Sequence, residues 1–532
     1  MQTEIQEVIN KAYQTTLKIV GYDSTRKVVT GGQFSGVVVS EDGYILTAAH
    51  ATMPGRVYLA MFPDGKEFVA VGLGRISSVD AALMKIVQPG TWPYAEMGWS
   101  YSLKPFQPCI SISSPASLNR KREPVVRFGY VAEPVTRNGM IRTTCLMEPG
   151  DSGGPVFDMK GRVIGIHSRI DIALENNYEV AIDNFRKYWT ALNLPESYGR
   201  DAVLREDKIG EDPLKDEFAR YETLADLRVY FGEQEDELDQ SVFTLNSKLD
   251  GDTSVALATL ISTDGFTIGK DKKGAGLLIS KSSLVGQDPE ILLDNNRRVS
   301  ATIVSRDDKL DLVLLKVNRK MKNGVSLFSQ VIDSVDFSMV GKFLLSPHPH
   351  DEGEVSVIGS SLFDLAPRAN MAFLGVTTEP SDTGVVLRNV SPNTAASFAR
   401  LQVGDIIIKV NEKLIKSPED LTEELIRYRP KDTVVLYGIR GDSPYMTQVV
   451  LGKRPQQNTH AADRFTDGKS DRRDGFQKIF MHDGKLKPSE CGGPVFDVHG
   501  NFYGINIARF SRTSSIAIPA SEVRKFVEMA LK

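Results

Sequence analysis

The sequence predicts a mainly β fold that is divided into several domains. Short apolar runs such as FSGVVVS and DAALMKIV alternate with turn sequences such as EDG and PDG, and strands at this spacing are typical of barrels and sandwiches. A chain of 532 residues also exceeds what one hydrophobic core usually supports. Segments recur in the same order along the chain, which indicates an internal duplication.

The composition argues against several classes of protein. The 64 basic and 68 acidic residues leave a net charge of −4, so nothing favours a nucleic-acid or membrane-surface partner. No apolar run is long enough for a membrane span. The first residues lack the features of a signal peptide. We therefore expect a cytoplasmic protein, or a periplasmic or other extracytoplasmic one if a signal peptide was removed.

The three cysteines do not form a disulfide framework or a metal-binding cluster by their spacing. Cys109 and Cys145 fall in one domain, where they could pair or remain buried thiols. Cys491 lies far along the chain. No metal and no cofactor are expected.

Two pairs of segments carry the duplication. DAALMKI at 80–86 has its counterpart at 311–317, and GDSGGPVFDMKGRVIGI at 150–166 has its counterpart at 489–505. The two segments of the second copy lie much farther apart, so that copy contains an inserted segment. The predicted domains are a first copy at 1–192, a charged linker with helices at 193–250, a second copy at 251–370 and 456–532, and an inserted domain at 371–455.

The sequence GDSGGP at 150–155 indicates nucleophilic catalysis. A serine hydroxyl is a weak nucleophile, so it needs a neighbouring base and donors for the developing oxyanion. The glycines allow a tight turn that aims the N–H groups of Gly150 and Ser152 at an oxyanion, and each donor contributes on the order of 3 kcal/mol. His50, at the end of GYILTAAH, is the predicted base, and Asp80 is predicted to hold its tautomer.

These segments resemble the HtrA/DegP family of chymotrypsin-like serine proteases, whose catalytic residues follow the same chain order of His, Asp and Ser. The resemblance implies two trypsin-like double β-barrel domains and a serine endopeptidase that cleaves unfolded or misfolded proteins through an acyl-enzyme. It also places the base of the primary specificity pocket at Leu146 and a wall near Ile170. Because both are apolar, we expect cleavage after small or medium apolar residues.

The second copy lacks a complete catalytic site. Aligning GLLISKSS with GYILTAAH places Ser283 where the first copy has His50, and Asp311 and Cys491 then match Asp80 and Ser152. A cysteine nucleophile needs an adjacent base, so we predict a degenerate, inactive barrel. The alternative is an active Cys491 served by a histidine from elsewhere, with His348, His350 and His482 as the candidates.

The inserted domain resembles a PDZ domain of the HtrA kind. Phe373, Leu374, Gly375 and Val376 match the loop that binds a peptide C-terminal carboxylate in that family. The resemblance implies that the peptide adds as a strand to an exposed sheet edge. A PDZ-like spacer without a ligand is the alternative.

Three functional hypotheses follow from these features. The first is an endopeptidase whose partners are unfolded proteins and peptide C-termini. The second is a peptide-binding chaperone or scaffold with a pseudoprotease domain, and the third is a scaffold in which the second copy gates the first. Segment 4–19 is predicted to be helical, and the family resemblance makes a homo-oligomer built through it an open expectation.

Overall fold

The computed structural model describes residues 1–118, 123–215, 235, 237–266, 275–293, 297–367, 372–454 and 460–532. The chain divides into two compact units. Unit 1 comprises Met1–Phe363, Thr459–Ser470 and Lys478–Lys532, and unit 2 comprises Asp364–Asn458 and Asp471–Gln477. The helices predicted within 193–250 fall mainly on 216–234, outside the described residues. No helix in the described ranges is long and apolar enough to cross a membrane.

Unit 1 begins with helix α1 (Gln2–Ala12) and a first closed barrel. Strand β5 alternates buried and less buried residues, as expected for a pleated strand with one face in a core. The strands pair in the order β5-β4-β1-β2-β3-β6, and β5 also pairs with β6. The strands of this barrel are β1 (Thr16–Asp23), β2 (Val28–Val38), β3 (Tyr44–Ala48), β4 (Val57–Met61), β5 (Glu67–Ile76) and β6 (Ala81–Ile86).

A second closed barrel completes the first copy, with the order β10-β11-β12-β9-β8-β7. Its strands are β7 (Pro108–Ser113), β8 (Val125–Glu133), β9 (Ile141–Thr143), β10 (Pro155–Phe157), β11 (Val163–Ile170) and β12 (Asn177–Ala181). Helices α2 (Ile182–Lys187) and α3 (Trp189–Leu192) follow, and β13 (Ser197–Tyr198) pairs in parallel with β5. Cys109 and Cys145 are buried free thiols, with their Sγ atoms 3.8 Å apart.

The second copy repeats this architecture in unit 1. Its first barrel is closed in the order β14-β15-β16-β19-β18-β17. The strands are β14 (Val242–Leu249), β15 (Asp252–Ile261), β16 (Gly276–Lys281), β17 (Gln287–Leu292), β18 (Arg298–Asp307) and β19 (Leu312–Val317). They are followed by β20 (Phe343–Ser346), β21 (Glu354–Val357) and β22 (Phe363–Leu365).

Unit 2 is a small α+β domain with its own apolar core. Its main sheet has the order β24-β25-β26-β28-β29. A capping box between Ser417 and Asp420 starts helix α5, where the sequence SPEDL provides the capping residue. The elements are β23 (Ala372–Phe373), β24 (Val376–Pro380), β25 (Val385–Val390), α4 (Ala395–Phe398), β26 (Ile406–Val410), β27 (Lys413–Leu414), α5 (Pro418–Leu425), β28 (Thr433–Arg440), β29 (Ser443–Val450) and β30 (Gly452–Lys453).

The chain then returns to unit 1 and completes the second copy. The strands β31 (Phe476–His482), β32 (Pro494–Asp497), β33 (Phe502–Arg509) and β34 (Ser515–Pro519) join β20 and β21 in one sheet, and helix α6 (Ala520–Leu531) ends the chain. The prediction of a mainly β protein is therefore confirmed.

The two copies share one hydrophobic core. Ile5 and Ile9 of α1 belong to the same buried cluster as Phe343 and Tyr503 of the second copy. The side chain of Gln2 donates to the carbonyl of Gly341 at 3.0 Å. The predicted helix over 4–19 is wrong in its second half, because the chain enters strand β1 at Thr16, where β-branched residues favour a strand.

The duplication also extends to the backbone around the two aspartates. Ala49 N donates to Asp80 O at 2.9 Å, and Ser282 N donates to Asp311 O at 2.7 Å. Asp80 and Asp311 have φ values of +56° and +58°, a left-handed conformation that is uncommon for residues other than glycine. The backbone conformation at the two aspartates is therefore the same in both copies.

Candidate active site

His50 and Asp80 lie together at the ends of two neighbouring strands. His50 follows β3 and Asp80 precedes β6, and these strands pair with Ala48 opposite Ala81. The imidazole Nδ1 is 2.9 Å from Asp80 Oδ2, and the His50 backbone N–H donates to Asp80 Oδ1 at 2.9 Å. Because an ionised carboxylate only accepts hydrogen bonds, Nδ1 carries the proton and Nε2 is left as the acceptor.

The electrostatics of this pair suit a general base. The hydrogen bond to Asp80 raises the pKa of His50, although burial opposes it. Burial alone would raise the pKa of Asp80, but hydrogen bonds from His50 and from Ser168 outweigh it, so the pKa of that carboxyl is lowered. Ser168 Oγ donates to Asp80 Oδ2 at 2.5 Å. Asp80 is therefore ionised and fixed on two sides near neutral pH.

The turn before Ser152 has the geometry of an oxyanion-binding loop. Asp151 N donates to Glu148 O at 3.0 Å, and Gly150 has a φ of +99°. Because proline fixes φ near −65°, Pro149 followed by a residue with positive φ defines a type II turn. A Cβ at Gly150 would lie 2.4 Å from Ala116 N, so only glycine fits.

This turn leaves two backbone donors without partners. Pro149 O accepts from Ala116 N at 2.8 Å, so the N–H of Gly150 in the same trans peptide points the opposite way. Neither this N–H nor that of Ser152 has an acceptor within the described part of the chain. Two nearby backbone donors without a protein acceptor can bind an anionic oxygen.

A buried ion pair supports the turn from behind. Asp151 Oδ2 lies 2.9 Å from Arg127 Nη1, and both side chains are fully buried. The Asp151 carboxylate also accepts from Ser113 Oγ at 2.8 Å and from Glu148 N at 2.9 Å. Burial raises the pKa of Asp151 to about 6, while Arg127 opposes that rise. The residue before Ser152 is thus anchored within the second barrel.

Ser152 and His50 line the same cleft, which has a volume of about 220 Å³ and also contacts Phe34 and Tyr58. No hydrogen bond joins Ser152 to His50 among the described residues. His50 also lines a larger groove of about 920 Å³, together with Asp80 and Ser168. His50 therefore lines both cavities, which together offer room for an extended chain next to the imidazole.

Comparisons with known proteins agree with this geometry. The trypsin-like peptidase domain family matches residues 34–166, and the PDZ domain family matches residues 372–451. A probable periplasmic serine endoprotease, DegP-like, of Halomonas elongata is 26% identical over 422 residues, which are 75% of this chain and 75% of that protein. The serine protease HTRA1 of Xenopus tropicalis is 30% identical over 188 residues, 34% of this chain and 39% of its own.

The chain is similar to serine endoproteases of the DegP-like and HTRA1 kind.

Two further proteins match the chain. A DegP-like probable periplasmic serine endoprotease of Brucella suis is 23% identical over 402 residues, which are 74% of this chain and 68% of that protein. A crystal structure of the serine endoprotease from Yersinia pestis covers 85% of the chain at 13% identity with a TM-score of 0.32. The predicted HtrA/DegP resemblance, the trypsin-like and PDZ folds and the assignment as a serine endopeptidase are confirmed.

The two predicted pocket residues line different cavities. Leu146 is buried and lines a cavity of about 250 Å³ with Tyr130 and Phe343. Ile170 lines a different groove with Arg169 and Tyr178. The preference for apolar side chains is therefore not supported by a common pocket, and it stays a prediction.

In the second copy, Ser283 occupies the position equivalent to His50. Its N–H donates to Asp311 Oδ1 at 2.8 Å, which repeats the bond from His50 N to Asp80. The Asp311 carboxylate is engaged by the buried ammonium of Lys281 at 2.6 Å. A lysine side chain thus replaces the imidazole as the partner of this carboxylate.

Cys491 is buried, and burial raises the pKa of its thiol. Its Sγ has Ser470 Oγ at 3.7 Å and the Lys487 carbonyl at 4.0 Å as neighbours. No histidine is hydrogen-bonded to it among the described residues. His482 instead bonds to Asn506 Oδ1 at 2.9 Å. The arrangement supplies no base for a thiolate.

In unit 2 the predicted carboxylate-binding loop leads directly into an edge strand. Phe373 ends β23, Leu374 is buried and Val376 begins β24. Gly375 has a φ of +89°, and a Cβ there would lie 2.2 Å from Thr394 Oγ1. Within the described ranges, strand β24 pairs with β25 alone, and its other edge is open to a further strand.

Sequence reasoning missed several residues that contact the site. Ser168 lies within strand β11, in the segment GIHS that served only to locate the pocket. The sequence around Arg127 and around Lys281 contains no motif that identifies either residue as part of a site. Their carboxylate partners are distant in sequence, so only the folded chain identifies these pairs.

Proposed function

We propose that the first copy hydrolyses peptide bonds in unfolded or misfolded proteins, with Ser152 as nucleophile, His50 as general base and Asp80 as the group that orients it. The observation that carries the proposal is the pair of N–H groups at Gly150 and Ser152 that have no acceptor among the described residues, with Ser152 in the same cleft as an imidazole whose Nδ1 is bound by an ionised carboxylate. These are the base and the anion site that a serine nucleophile requires.

The proposed reaction has two halves. His50 Nε2 takes the Ser152 hydroxyl proton as Oγ attacks the peptide carbonyl carbon, and the N–H groups of Gly150 and Ser152 donate to the resulting oxyanion. The tetrahedral intermediate collapses, His50 gives its proton to the departing amine, and an ester remains on Ser152. Water then attacks this ester with the same base, releasing the acid and restoring the serine.

The substrate class is supported by the shape of the groove. Cavities of about 220 and 920 Å³ are both lined by His50, and an extended segment fills such a groove better than a folded surface does. A folded protein would need local unfolding to enter it. We therefore propose unfolded chains as the substrates.

Capture of peptide C-termini is proposed for unit 2. The open edge of β24 follows the Phe373–Val376 loop, and backbone pairing at a sheet edge is a common mode of peptide binding. The second copy is proposed to perform no chemistry, because Cys491 has no base among the described residues. An extracytoplasmic location is proposed from the printed names of the Halomonas and Brucella relatives.

Digestion of reduced casein by the wild-type protein and by Ser152→Ala tests the proposal. We expect the wild type to produce peptides and the variant to be inactive. Suppression of aggregation of a denatured protein is measured in parallel. Equal casein loss with both proteins, or aggregation suppression without any Ser152-dependent cleavage, would contradict the enzymatic function and favour a binding protein.

A further inference from the structure

A loop of the second copy contacts residues that hold the Glu148–Asp151 turn of the first copy in place. It connects β33 and β34 and is closed by hydrogen bonds from Phe510 N and Ser511 N to Ser514 O, at 3.0 and 3.1 Å. At its tip, Arg512 and Thr513 are both fully buried. The equivalent loop of the first copy, 171–176, connects β11 and β12, so the two copies meet through the same loop.

The guanidinium of Arg512 binds the backbone of the first copy's loop. Its Nη2 donates to the carbonyls of Ala173 and Leu174 at 2.8 and 3.3 Å, and its Nη1 donates to that of Ile172 at 3.5 Å. Nη2 also donates to Asn177 Oδ1 at 3.3 Å. One side chain therefore holds both the loop and the first residue of β12.

Asn177 links Arg512 to the start of the Glu148–Asp151 turn through hydrogen bonds. Its Oδ1 accepts from Met147 N at 3.2 Å, and its Nδ2 donates to Leu174 O at 2.7 Å. Met147 immediately precedes the Glu148–Asp151 turn that leaves the Gly150 N–H unpaired. The entry to the oxyanion-binding turn is thus fixed by an amide that Arg512 itself holds in place.

A second contact from the same loop reaches the other side of the turn. Thr513 Oγ1 accepts from Arg127 Nη2 at 3.3 Å, and Arg127 is the ion-pair partner of Asp151. The loop is anchored within the second copy, because Arg509 donates to the carbonyls of Gly484 and Arg512. Both ends of the turn therefore depend on one preformed loop.

We propose that Arg512 is a positioning residue for the first copy's active site, so that the degenerate second copy acts as a built-in activator of the catalytic copy. This rests on the proposed peptidase function. Arg512 acts through Asn177 and the turn at Glu148–Asp151, and it touches neither substrate nor Ser152. A planar guanidinium with several donors can satisfy three carbonyls and an amide at once, which an ammonium cannot.

The test compares Arg512→Met and Arg512→Lys with Arg306→Met as the matched control. Arg306 also donates to backbone carbonyls, those of Ser282 and Val285 at 2.9 and 2.7 Å, but entirely within the second copy. We expect R512M to lower kcat on a short peptide by about 100-fold, the loss seen when one oxyanion donor is removed. R512K should lie between R512M and wild type, and R306M should retain wild-type kcat.

Two readouts separate positioning from general destabilisation. The acid-limb midpoint of kcat/KM should not move in R512M, because His50 and Asp80 keep their hydrogen bonds. Hydrogen exchange of the Met147 amide and of the 171–177 amides should be faster in R512M and unchanged in R306M. If R512M does not fold, R512K is used for the same measurements, with a smaller loss of kcat expected.

Wild-type kcat and exchange in a folded Arg512 variant, or a loss equal to that of R306M, would overturn the proposal. A wild-type protein without Ser152-dependent hydrolysis would overturn the peptidase function instead. The exchange rates would still decide whether Arg512 holds the turn.

Discussion

The ammonium of Lys281 lies 2.6 Å from the carboxylate of Asp311, which holds in the second copy the position that Asp80 holds in the first. Both side chains are buried. The second copy therefore retains the carboxylate that corresponds to Asp80, but this carboxylate binds a lysine instead of a histidine. The same carboxylate also accepts from Ser283 Oγ at 2.8 Å, so it is not available to orient an imidazole.

Replacing Cys491 should leave hydrolysis unchanged. The buried thiol has a raised pKa and no histidine partner among the described residues, so it contributes no nucleophile at neutral pH. We expect kcat and KM of Cys491→Ala on casein-derived peptides to match wild type. A loss greater than about tenfold, which corresponds to 1.4 kcal/mol in the barrier, would show that the second site acts in catalysis.

Lys281→Met should destabilise unit 1. Removing one member of a buried ion pair leaves the other charge uncompensated, at a cost of about 3–5 kcal/mol. The midpoint of urea unfolding should fall accordingly. The double variant Lys281→Met/Asp311→Asn is the control, because it removes both charges and should regain most of the loss. A single variant as stable as wild type would mean that Asp311 is not held by this pair.

The pH dependence of kcat/KM should show an acid limb with a midpoint above 6.5, the ordinary pKa of histidine. His50 must be neutral to accept a proton, and its hydrogen bond to Asp80 raises its pKa, so activity increases as the pH rises through that value. Asp80→Asn should lower the midpoint and reduce kcat by about 10⁴-fold. Asp42→Asn, at an exposed aspartate bound to Lys85, is the control and should change neither. A midpoint unmoved by D80N would contradict the assignment.

The candidate catalytic residues could be named from the sequence because their chemistry is tied to short local motifs. His50 follows β3, and Asp80 and Ser152 precede β6 and β10, each within a recognisable segment. The Leu146–Ile170 pocket was inferred from a spacing rule, and the two side chains line different cavities. A spacing rule predicts the position of a residue along the backbone, but it does not predict the conformation of the neighbouring loops.

Arg127→Met should reduce both stability and turnover. It leaves the buried Asp151 carboxylate without its ion-pair partner, at a cost of about 3–5 kcal/mol, and it frees the turn that presents Gly150. We expect a lower unfolding midpoint and a fall in kcat with little change in KM. Arg26→Met, at an arginine whose side chain is 82% exposed, should behave as wild type. Full activity in R127M would show that the ion pair does not hold the turn.

Gly375→Ala should weaken binding of peptides with a free C-terminal carboxylate. An added Cβ would lie 2.2 Å from Thr394 Oγ1 and displace the loop before β24. Gly404→Ala is the matched control, because Gly404 has a similar φ of +93° but no atom within 4 Å of an added Cβ. Isothermal titration should show weaker affinity only for G375A, with cleavage of short peptides preserved in both. Equal affinity in the two variants would favour a spacer role for unit 2.

The contacts between the two copies were beyond sequence reasoning. Arg512 is separated from residues 172–174 by more than 330 residues of sequence. The acceptors of its hydrogen bonds there are backbone carbonyls, which every residue has and which therefore give no sequence signal. Helix α1 was expected to continue to residue 19, but its Ile5 and Ile9 are buried against the second copy and the chain becomes a strand at Thr16. Local periodicity does not report such tertiary constraints.

The most direct test of the catalytic centre is covalent labelling of the folded protein with a fluorophosphonate, read by intact mass and peptide mapping. Phosphonylation needs a serine activated by a neighbouring base and an oxyanion site. The account predicts one label per chain, on Ser152, and slow or no labelling in His50→Ala. An unlabelled wild-type protein, or a label that remains after His50→Ala at the wild-type rate, would contradict the assignment of His50 and Ser152 as one catalytic unit.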